Sequence, residues 1–211
     1  MGNFSLFTII IIVINVIISY KGFDDYGFFE RYKFNVGAIK RGDQFRMFSS
    51  GFLHADRTHL LFNMITLFFF ADRVVYHLGQ VNFLAVYVGS LVLGSLLSYY
   101  FHKDEYHYSA VGASGAVMGI VYAAILLDPN MRINVFIPGY VFGIGYLIYS
   151  IYGMKNRIGN IGHDAHFGGA VGGYLITLIM KPSLFETQPV MVFVLAIPII
   201  VLLVMHKLGK I

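Results

Sequence analysis

A serine and a histidine stand in two glycine-rich motifs of an otherwise apolar chain. Ser114 lies in the sequence GASG at 112–115, and His166 lies in DAHFGG at 164–169. A polar side chain in hydrocarbon is costly unless it has a partner, and a serine hydroxyl becomes a useful nucleophile when an imidazole takes its proton. We therefore interpret Ser114 and His166 as the candidate nucleophile and general base of an intramembrane serine hydrolase.

The composition indicates an all-α, polytopic membrane protein. Hydrophobic residues make up 57% of the 211 residues and charged residues 12%, and the mean hydropathy is +0.70. A net charge of +4 without basic blocks favours contact with the lipid bilayer and argues against nucleic acid. The chain has no cysteine, which excludes a cysteine nucleophile and thiolate metal sites. We predict neither a cofactor nor a bound metal.

Seven apolar segments are long enough to cross the hydrocarbon as helices, which takes about 20 residues each. They are residues 4–20, 59–78, 82–101, 111–127, 133–152, 165–180 and 189–205. The long first connection, 21–58, interleaves aromatic and charged residues, a pattern typical of a segment in the headgroup layer. We expect one domain over 1–211, with a core of about 1–180 and an additional C-terminal helix at about 189–205.

Alternation of the spans gives the depth of the polar residues. The second, fourth and sixth helices enter from the same side of the membrane. His59 and Asn63 begin the second helix, Ser114 lies a few residues into the fourth, and His166 begins the sixth. At a rise of about 1.5 Å per residue, these four side chains should lie within a turn or two of one membrane face.

Small residues predict close helix packing beside the polar pair. Gly115 and Gly119 on the fourth helix, and Gly169 and Gly173 on the sixth, each form a small-xxx-small face that lets backbones approach. Gly112, in the same motif as Ser114, joins this predicted helix-packing set. Ordinary packing glycines would give the same pattern, but both pairs coincide with the serine and the histidine.

Each polar residue also has a purely structural interpretation. A serine in a membrane helix commonly bonds a carbonyl one turn back, and a histidine at a membrane boundary is often structural, as we expect for His54 and His163. Asp164 is two residues from His166, so the two side chains should not face each other on a helix. Position 116 is Ala116, so the motif is not the G-x-S-x-G nucleophile elbow of α/β-hydrolases.

These motifs resemble the rhomboid intramembrane serine proteases. The similarity runs over residues 46–173 and includes RMFS at 46–49, His54, HLLFN at 59–63, GASG at 112–115 and AHFGG at 165–169. The resemblance implies that Ser114 is the nucleophile and His166 the base, as a dyad without a carboxylate. It also implies that His59 and Asn63, with the Ser114 backbone N–H, bind the oxyanion, and that the substrates are transmembrane segments of other proteins.

Two departures from the family pattern concern the surroundings of the site. Phe45 precedes Arg46 where the family usually carries tryptophan, and Met118 stands four residues after the nucleophile, where an aromatic ring often stacks on the catalytic histidine. A thioether packs against imidazole more loosely than a ring does.

We also expect residues 153–163, rich in glycine and polar residues, to cover the site, and the fifth helix to move laterally when a substrate enters.

The resemblance implies a multi-pass protein of the cell membrane whose site opens to the extracytoplasmic side. All but three of the 15 Lys and Arg residues then lie outside, against the positive-inside rule.

Two alternatives remain: a catalytically silent rhomboid-like protein that binds membrane clients, and a small transporter. Retention of Ser114 and His166 disfavours the first, and clustering of polar residues at one face disfavours the second. The sequence leaves the oligomeric state open.

Overall fold

The computed structural model describes residues 5–133, 136–159 and 161–211. Its helices are α1 (Leu6–Asp24), α2 (Tyr26–Tyr32), α3 (Val36–Lys40), α4 (Arg46–Ser49), α5 (Arg57–Leu78), α6 (Gln80–His102), α7 (Ser114–Leu127), α8 (Gly139–Asn156), α9 (His163–Met180), α10 (Leu184–Thr187) and α11 (Pro189–Lys207). Two short antiparallel pairs join β1 (Phe34–Asn35) to β2 (Ser109–Ala110) and β3 (Arg132–Ile133) to β4 (Ile137–Pro138). The prediction of an all-α bundle is confirmed.

The seven predicted spans correspond to α1, α5, α6, α7, α8, α9 and α11. In the described part of the chain, four of them (α1, α5, α6 and α11) are long and apolar enough to cross a membrane by length and composition. Helix α7 has 14 residues, about 21 Å at 1.5 Å per residue, and every residue from Gly115 to Leu127 is buried. A helix that protein surrounds on all sides does not need the full length of a lipid-facing span.

Several helix boundaries differ from the predicted ones, most of all at α7 and α8. Helix α7 begins at Ser114 instead of residue 111, because Gly112 has a φ of +137° that no helix accommodates. Helix α8 begins at Gly139, after the hairpin of β3 and β4, and continues to Asn156. Residues 153–156 of the predicted cover are therefore helical. Residues 4, 134, 135 and 160, which were part of the predictions, lie outside the described residues.

The first connection folds back onto the bundle through short helices, two of which, α2 and α3, are started by a side-chain cap. Asp25 accepts the N–H of Phe28, and Asn35 accepts that of Ala38. Arg46 ties the segment together, since its guanidinium donates to the carbonyls of Glu30 and Lys33. The β1–β2 pair then joins the connection to the residues that precede α7.

The centre of the bundle is the packing of α6, α7 and α9. Glycines on all three helices allow backbone contact: a Cβ on Gly94 of α6 would lie 2.7 Å from the Ala165 carbonyl oxygen of α9. A Cβ on Gly119 of α7 would lie 2.0 Å from the Ser90 hydroxyl of α6. Two of these helices carry polar residues singled out in the sequence, Ser114 on α7 and His166 on α9, whereas His59 and Asn63 lie on α5.

Candidate active site

Ser114 is the first residue of α7 and follows a sharp backbone turn. The first helical hydrogen bond of α7 runs from the Val117 N–H to the Ala113 carbonyl. The Ser114 N–H therefore lies in the first turn, where amides have no intrahelical acceptor and the helix dipole favours negative charge. Both the hydroxyl and the amide of Ser114 sit at the positive end of a buried helix.

Gly112 makes room for the ring of His59 next to Ser114. A Cβ on Gly112 would lie 2.7 Å from Cε1 and 3.0 Å from Nε2 of His59, and 3.5 Å from the Ser114 Oγ. The His59 ring and the Ser114 hydroxyl thus border the same small space above Gly112. Gly112 itself lies before α7, with a positive φ and an N–H that donates to the Ser50 carbonyl, and its role in helix packing stays a prediction.

His59 and Asn63 lie one turn apart at the start of α5. The Asp56 carboxylate caps the helix by accepting the His59 N–H at 2.8 Å. The Asn63 side chain is buried, and its amide donates to the His59 carbonyl at 3.1 Å. A residue and its fourth neighbour share one helix face, so both side chains are presented on the same side of α5.

His54 lies in the loop before α5 and is buried against the turn that precedes α7. Its ring connects three segments of the chain. The Ala113 N–H donates to its Nε2 at 3.4 Å, and its Nδ1 lies 2.8 Å from the Ser19 hydroxyl. An amide can only donate, so Nε2 must accept and the Nδ1 proton must point to Ser19, whose own hydroxyl donates to the Phe52 carbonyl. We expected a structural histidine at the membrane boundary. The structural role fits these bonds, but the side chain is fully buried.

The surroundings of His54 keep its ring neutral. The pKa of His54 is lowered from 6.5 to about 3, chiefly by burial and also by the neighbouring His59, while Asp56 acts in the opposite direction. The two rings meet edge to face at 5.0 Å. Only a neutral His54 can accept the Ala113 N–H. The burial that keeps this ring neutral therefore also permits the hydrogen bond that holds the turn before Ser114.

His166 lies in the first turn of α9, directly after the contact between α9 and α7. The Ala165 carbonyl oxygen would be 3.1 Å from a Cβ on Gly115. One turn further on, a Cβ on Gly169 would lie 1.9 Å from the Gly115 carbonyl oxygen, and one on Gly173 would lie 2.0 Å from that of Gly119. The backbones of α7 and α9 are in contact along this stretch, and Ser114 and His166 lie at its end nearest the start of both helices.

The ring of His166 has a partner that sequence reasoning missed. The hydroxyl of Tyr146, on α8, lies 2.6 Å from His166 Nδ1, and the two rings are 5.9 Å apart. Asp164 instead points to α6, with its carboxylate 3.6 Å from His102 Nε2. His163 is buried, and its Nε2 lies 3.2 Å from the Ile158 carbonyl oxygen. Helix α8 carries several tyrosines, and no spacing in the sequence distinguishes Tyr146 from the others.

The fold and this cluster define the class of protein: an integral, polytopic helical membrane protein with a serine, histidines and an asparagine gathered at one end of its bundle. The model of the rhomboid domain family matches residues 41–183, and the chain belongs to the rhomboid family. Membership in this family supports an intramembrane protease-type function.

Named relatives come from bacteria and from mitochondria. "Putative rhomboid protease YdcA" of Bacillus subtilis (strain 168) is 34% identical over 148 residues, which cover 69% of this chain and 71% of that protein. The mitochondrial presenilin-associated rhomboid-like protein of Homo sapiens is 33% identical over 134 residues, covering 60% of this chain and 35% of the relative. Rhomboid protease GluP of Bacillus subtilis (strain 168) is 29% identical, over 64% of this chain and 26% of its own length. The chain spans about a third of the mitochondrial relative.

Proposed function

We propose that this chain is a serine endopeptidase that cleaves transmembrane segments of other membrane proteins. The observation that carries the proposal is the glycine contact of α7 and α9, with Ser114 and His166 flanking it at one end of the bundle. A nucleophile on one helix and a base on another can cooperate only if the two backbones keep a fixed distance. Backbone contact at Gly115 and Gly169 supplies such a constraint.

The reaction we propose uses the Ser114–His166 dyad. His166 takes the proton of the Ser114 hydroxyl as the oxygen attacks the scissile carbonyl carbon, and the carbonyl oxygen becomes an oxyanion. The Ser114 N–H, the His59 ring and the Asn63 amide donate to that oxyanion. His166 then gives its proton to the leaving amine, the peptide bond breaks, and a water molecule hydrolyses the acyl-enzyme with His166 again as base.

Dyad substitutions test the proposal on the full chain. We expect purified protein in liposomes to cut a tagged transmembrane substrate, and we expect Ser114→Ala and His166→Ala to abolish cleavage. A fluorophosphonate probe should label the wild type and spare Ser114→Ala. Ser109→Ala and His107→Ala, which alter exposed residues, serve as controls. Cleavage by Ser114→Ala at the wild-type rate would overturn the proposal, and substrate binding without cleavage would favour a client-binding protein.

We further propose that residues 1–211 form one domain in the cell membrane, that lipids and membrane protein substrates are its partners, and that the site opens to the extracytoplasmic side. The cysteine-free sequence makes the orientation testable. Asp104 is exposed in the loop before α7, at the site end, and Glu186 is exposed on α10, after the far end of α9. In intact cells, an impermeant maleimide should label Asp104→Cys and spare Glu186→Cys. The reverse pattern would place the site on the cytoplasmic side.

A further inference from the structure

Tyr146 contacts the general base from a helix that carries none of the other site residues. Its hydroxyl lies 2.6 Å from Nδ1 of His166, which is a short hydrogen bond for an oxygen and a ring nitrogen. Tyr146 is half-buried on α8, where it also packs against Phe142 with ring centroids 5.9 Å apart. The phenol is therefore directed at His166 from within a packed aromatic pair.

The role proposed for His166 determines the direction of this hydrogen bond. To take the proton of Ser114, one ring nitrogen must be bare, and the other then carries the hydrogen. Because Tyr146 lies on Nδ1, the hydrogen on Nδ1 donates to the phenolic oxygen and Nε2 is left free to act as the base. Asp164, the carboxylate nearest in sequence, cannot do the same because it is turned toward His102.

We propose that Tyr146 is the positioning residue of the catalytic base, so that a side chain from α8 orients the His166 ring of the Ser114–His166 dyad. This inference rests on the proposed protease function and deepens it. The phenolic oxygen holds the Nδ1–H tautomer and fixes the ring plane. When Nε2 takes the serine proton, the ring becomes an imidazolium and its Nδ1–H bond to Tyr146 becomes a stronger, charge-assisted one.

The position of α8 then becomes part of catalysis. Helix α8 lies at the edge of the bundle, with Val141, Ile148 and Tyr152 exposed, and a Cβ on its Gly145 would meet no atom within 4 Å. The base is oriented while α8 lies against α9 and loses its Nδ1 partner when the two helices separate. Substrate entry beside α8 and activation of Ser114 are in this way linked through one hydroxyl group.

Tyr146→Phe removes the hydroxyl and keeps the ring, and Tyr149→Phe is its matched control. Tyr149 lies one turn further along α8 and meets the ring of His163 edge to face at 5.2 Å, so it shares the helix and the aromatic packing without reaching His166. We expect Tyr146→Phe to lower kcat about 10- to 100-fold, the range for a lost hydrogen bond to a charged group. KM and Tm should stay near the wild-type values, and Tyr149→Phe should leave kcat unchanged.

Two readouts separate positioning from a structural role. The rate of fluorophosphonate labelling of Ser114 does not depend on a transmembrane substrate, and we expect Tyr146→Phe to slow it by the same factor as kcat. Nitrogen-15 spectra of labelled histidine, with His166 assigned by subtraction of a His166→Gln spectrum, should show a protonated Nδ1 in the wild type and a tautomer mixture in Tyr146→Phe.

The inference is overturned if Tyr146→Phe labels at the wild-type rate, if its loss is confined to KM or Tm, or if Tyr149→Phe is equally slow. Its failure is distinguishable from that of the protease function. If Ser114→Ala abolishes cleavage and Tyr146→Phe changes nothing, the dyad stands and Tyr146 is structural. If the wild type cuts nothing, the protease function fails, and a wild-type spectrum without the Nδ1–H tautomer would reject the positioning role as well.

Discussion

Helix α9 meets two of its neighbours, α7 and α8, in different ways. Against α7 the contact is backbone on backbone, at Gly115 with Gly169 and at Gly119 with Gly173. Against α8 the contacts are made by side-chain ends, such as the Tyr146 hydroxyl on the His166 ring. Backbone contacts cannot relax by a rotamer change, whereas side-chain contacts can. The contact with α7 thus fixes the distance between the proposed nucleophile and the proposed base, whereas the contact with α8 leaves the orientation of the proposed base adjustable.

The burial of the two neighbours follows the same division. Helix α7 is buried from Gly115 to Leu127, whereas the buried residues of the 18-residue α8 are Gly139, Gly143, Leu147, Ser150, Ile151 and Gly153. Regions with few buried apolar contacts open at lower free energy than the core. We therefore expect motion that admits a substrate to occur at α8 and to leave the α7–α9 pair intact.

The largest effect should come from adding one methyl group at the backbone contact. In Gly169→Ala the new Cβ would start 1.9 Å from the Gly115 carbonyl oxygen, so α7 and α9 must separate. We expect destabilisation at or above the upper end of the usual range of about 1–3 kcal/mol for overpacking, with loss of cleavage. Tm in detergent and the cleavage rate measure both consequences.

Gly145→Ala on α8 is the control for that substitution, because its Cβ meets no atom within 4 Å. Alanine is the better helix former, so Tm should stay the same or rise slightly. Equal tolerance of alanine at positions 169 and 145 would contradict the division between a fixed and an adjustable contact.

A smaller, pH-dependent effect should appear at His54, which supports the fixed side of the site. His54 has a pKa of about 3 in the fold and about 6.5 when unfolded, so the unfolded chain binds the extra proton between these values. The contribution of a neutral His54 to the free energy of unfolding is fully present above pH 6.5 and is lost as the pH falls toward 3. His54→Gln cannot titrate, and it loses the Nδ1–H bond to Ser19, which costs about 1 kcal/mol at neutral pH.

Thermal unfolding at several pH values between 8 and 4.5 measures this effect. The Tm difference between wild type and His54→Gln should be largest at pH 8 and should shrink with acidification, because only the wild type loses stability when its unfolded chain binds a proton at His54. His107→Gln, at an exposed histidine, controls for a general loss of imidazole. A Tm difference that stays constant with pH would show that folding does not lower the pKa of His54 below its value in the unfolded chain.

The sequence predicts the fixed side of the site far better than the adjustable side. Alternation of the apolar segments predicts that Ser114 and His166 lie toward the same end of the bundle, and the glycine spacing predicts where two helices can touch, because both depend on local periodicity. Tyr146 depends on the rotation of α8 about its own axis, which the packing against α9 and α11 decides. The burial of His54 depends on how the first connection folds back onto the bundle. The start of α7 depends on a single positive φ at Gly112. Neither feature can be deduced from local periodicity.

The smallest effect should lie at the exposed end of α8. Arg157 follows the last helical residue with a left-handed backbone, φ +50°, and its guanidinium lies 3.2 Å from the Glu105 carboxylate while the side chain is 83% exposed. An exposed ion pair contributes about 0–1 kcal/mol, so Arg157→Ala should lower Tm slightly. Arg157→Gly loses the same pair but relieves the left-handed strain, as glycine commonly does just after a helix. We expect the Tm of Arg157→Gly to exceed that of Arg157→Ala, with the cleavage rates of both near wild type. Since neither change touches the contact between Tyr146 and His166, a large loss of activity in both would mean that the end of α8, as well as its middle, sets the orientation of the base.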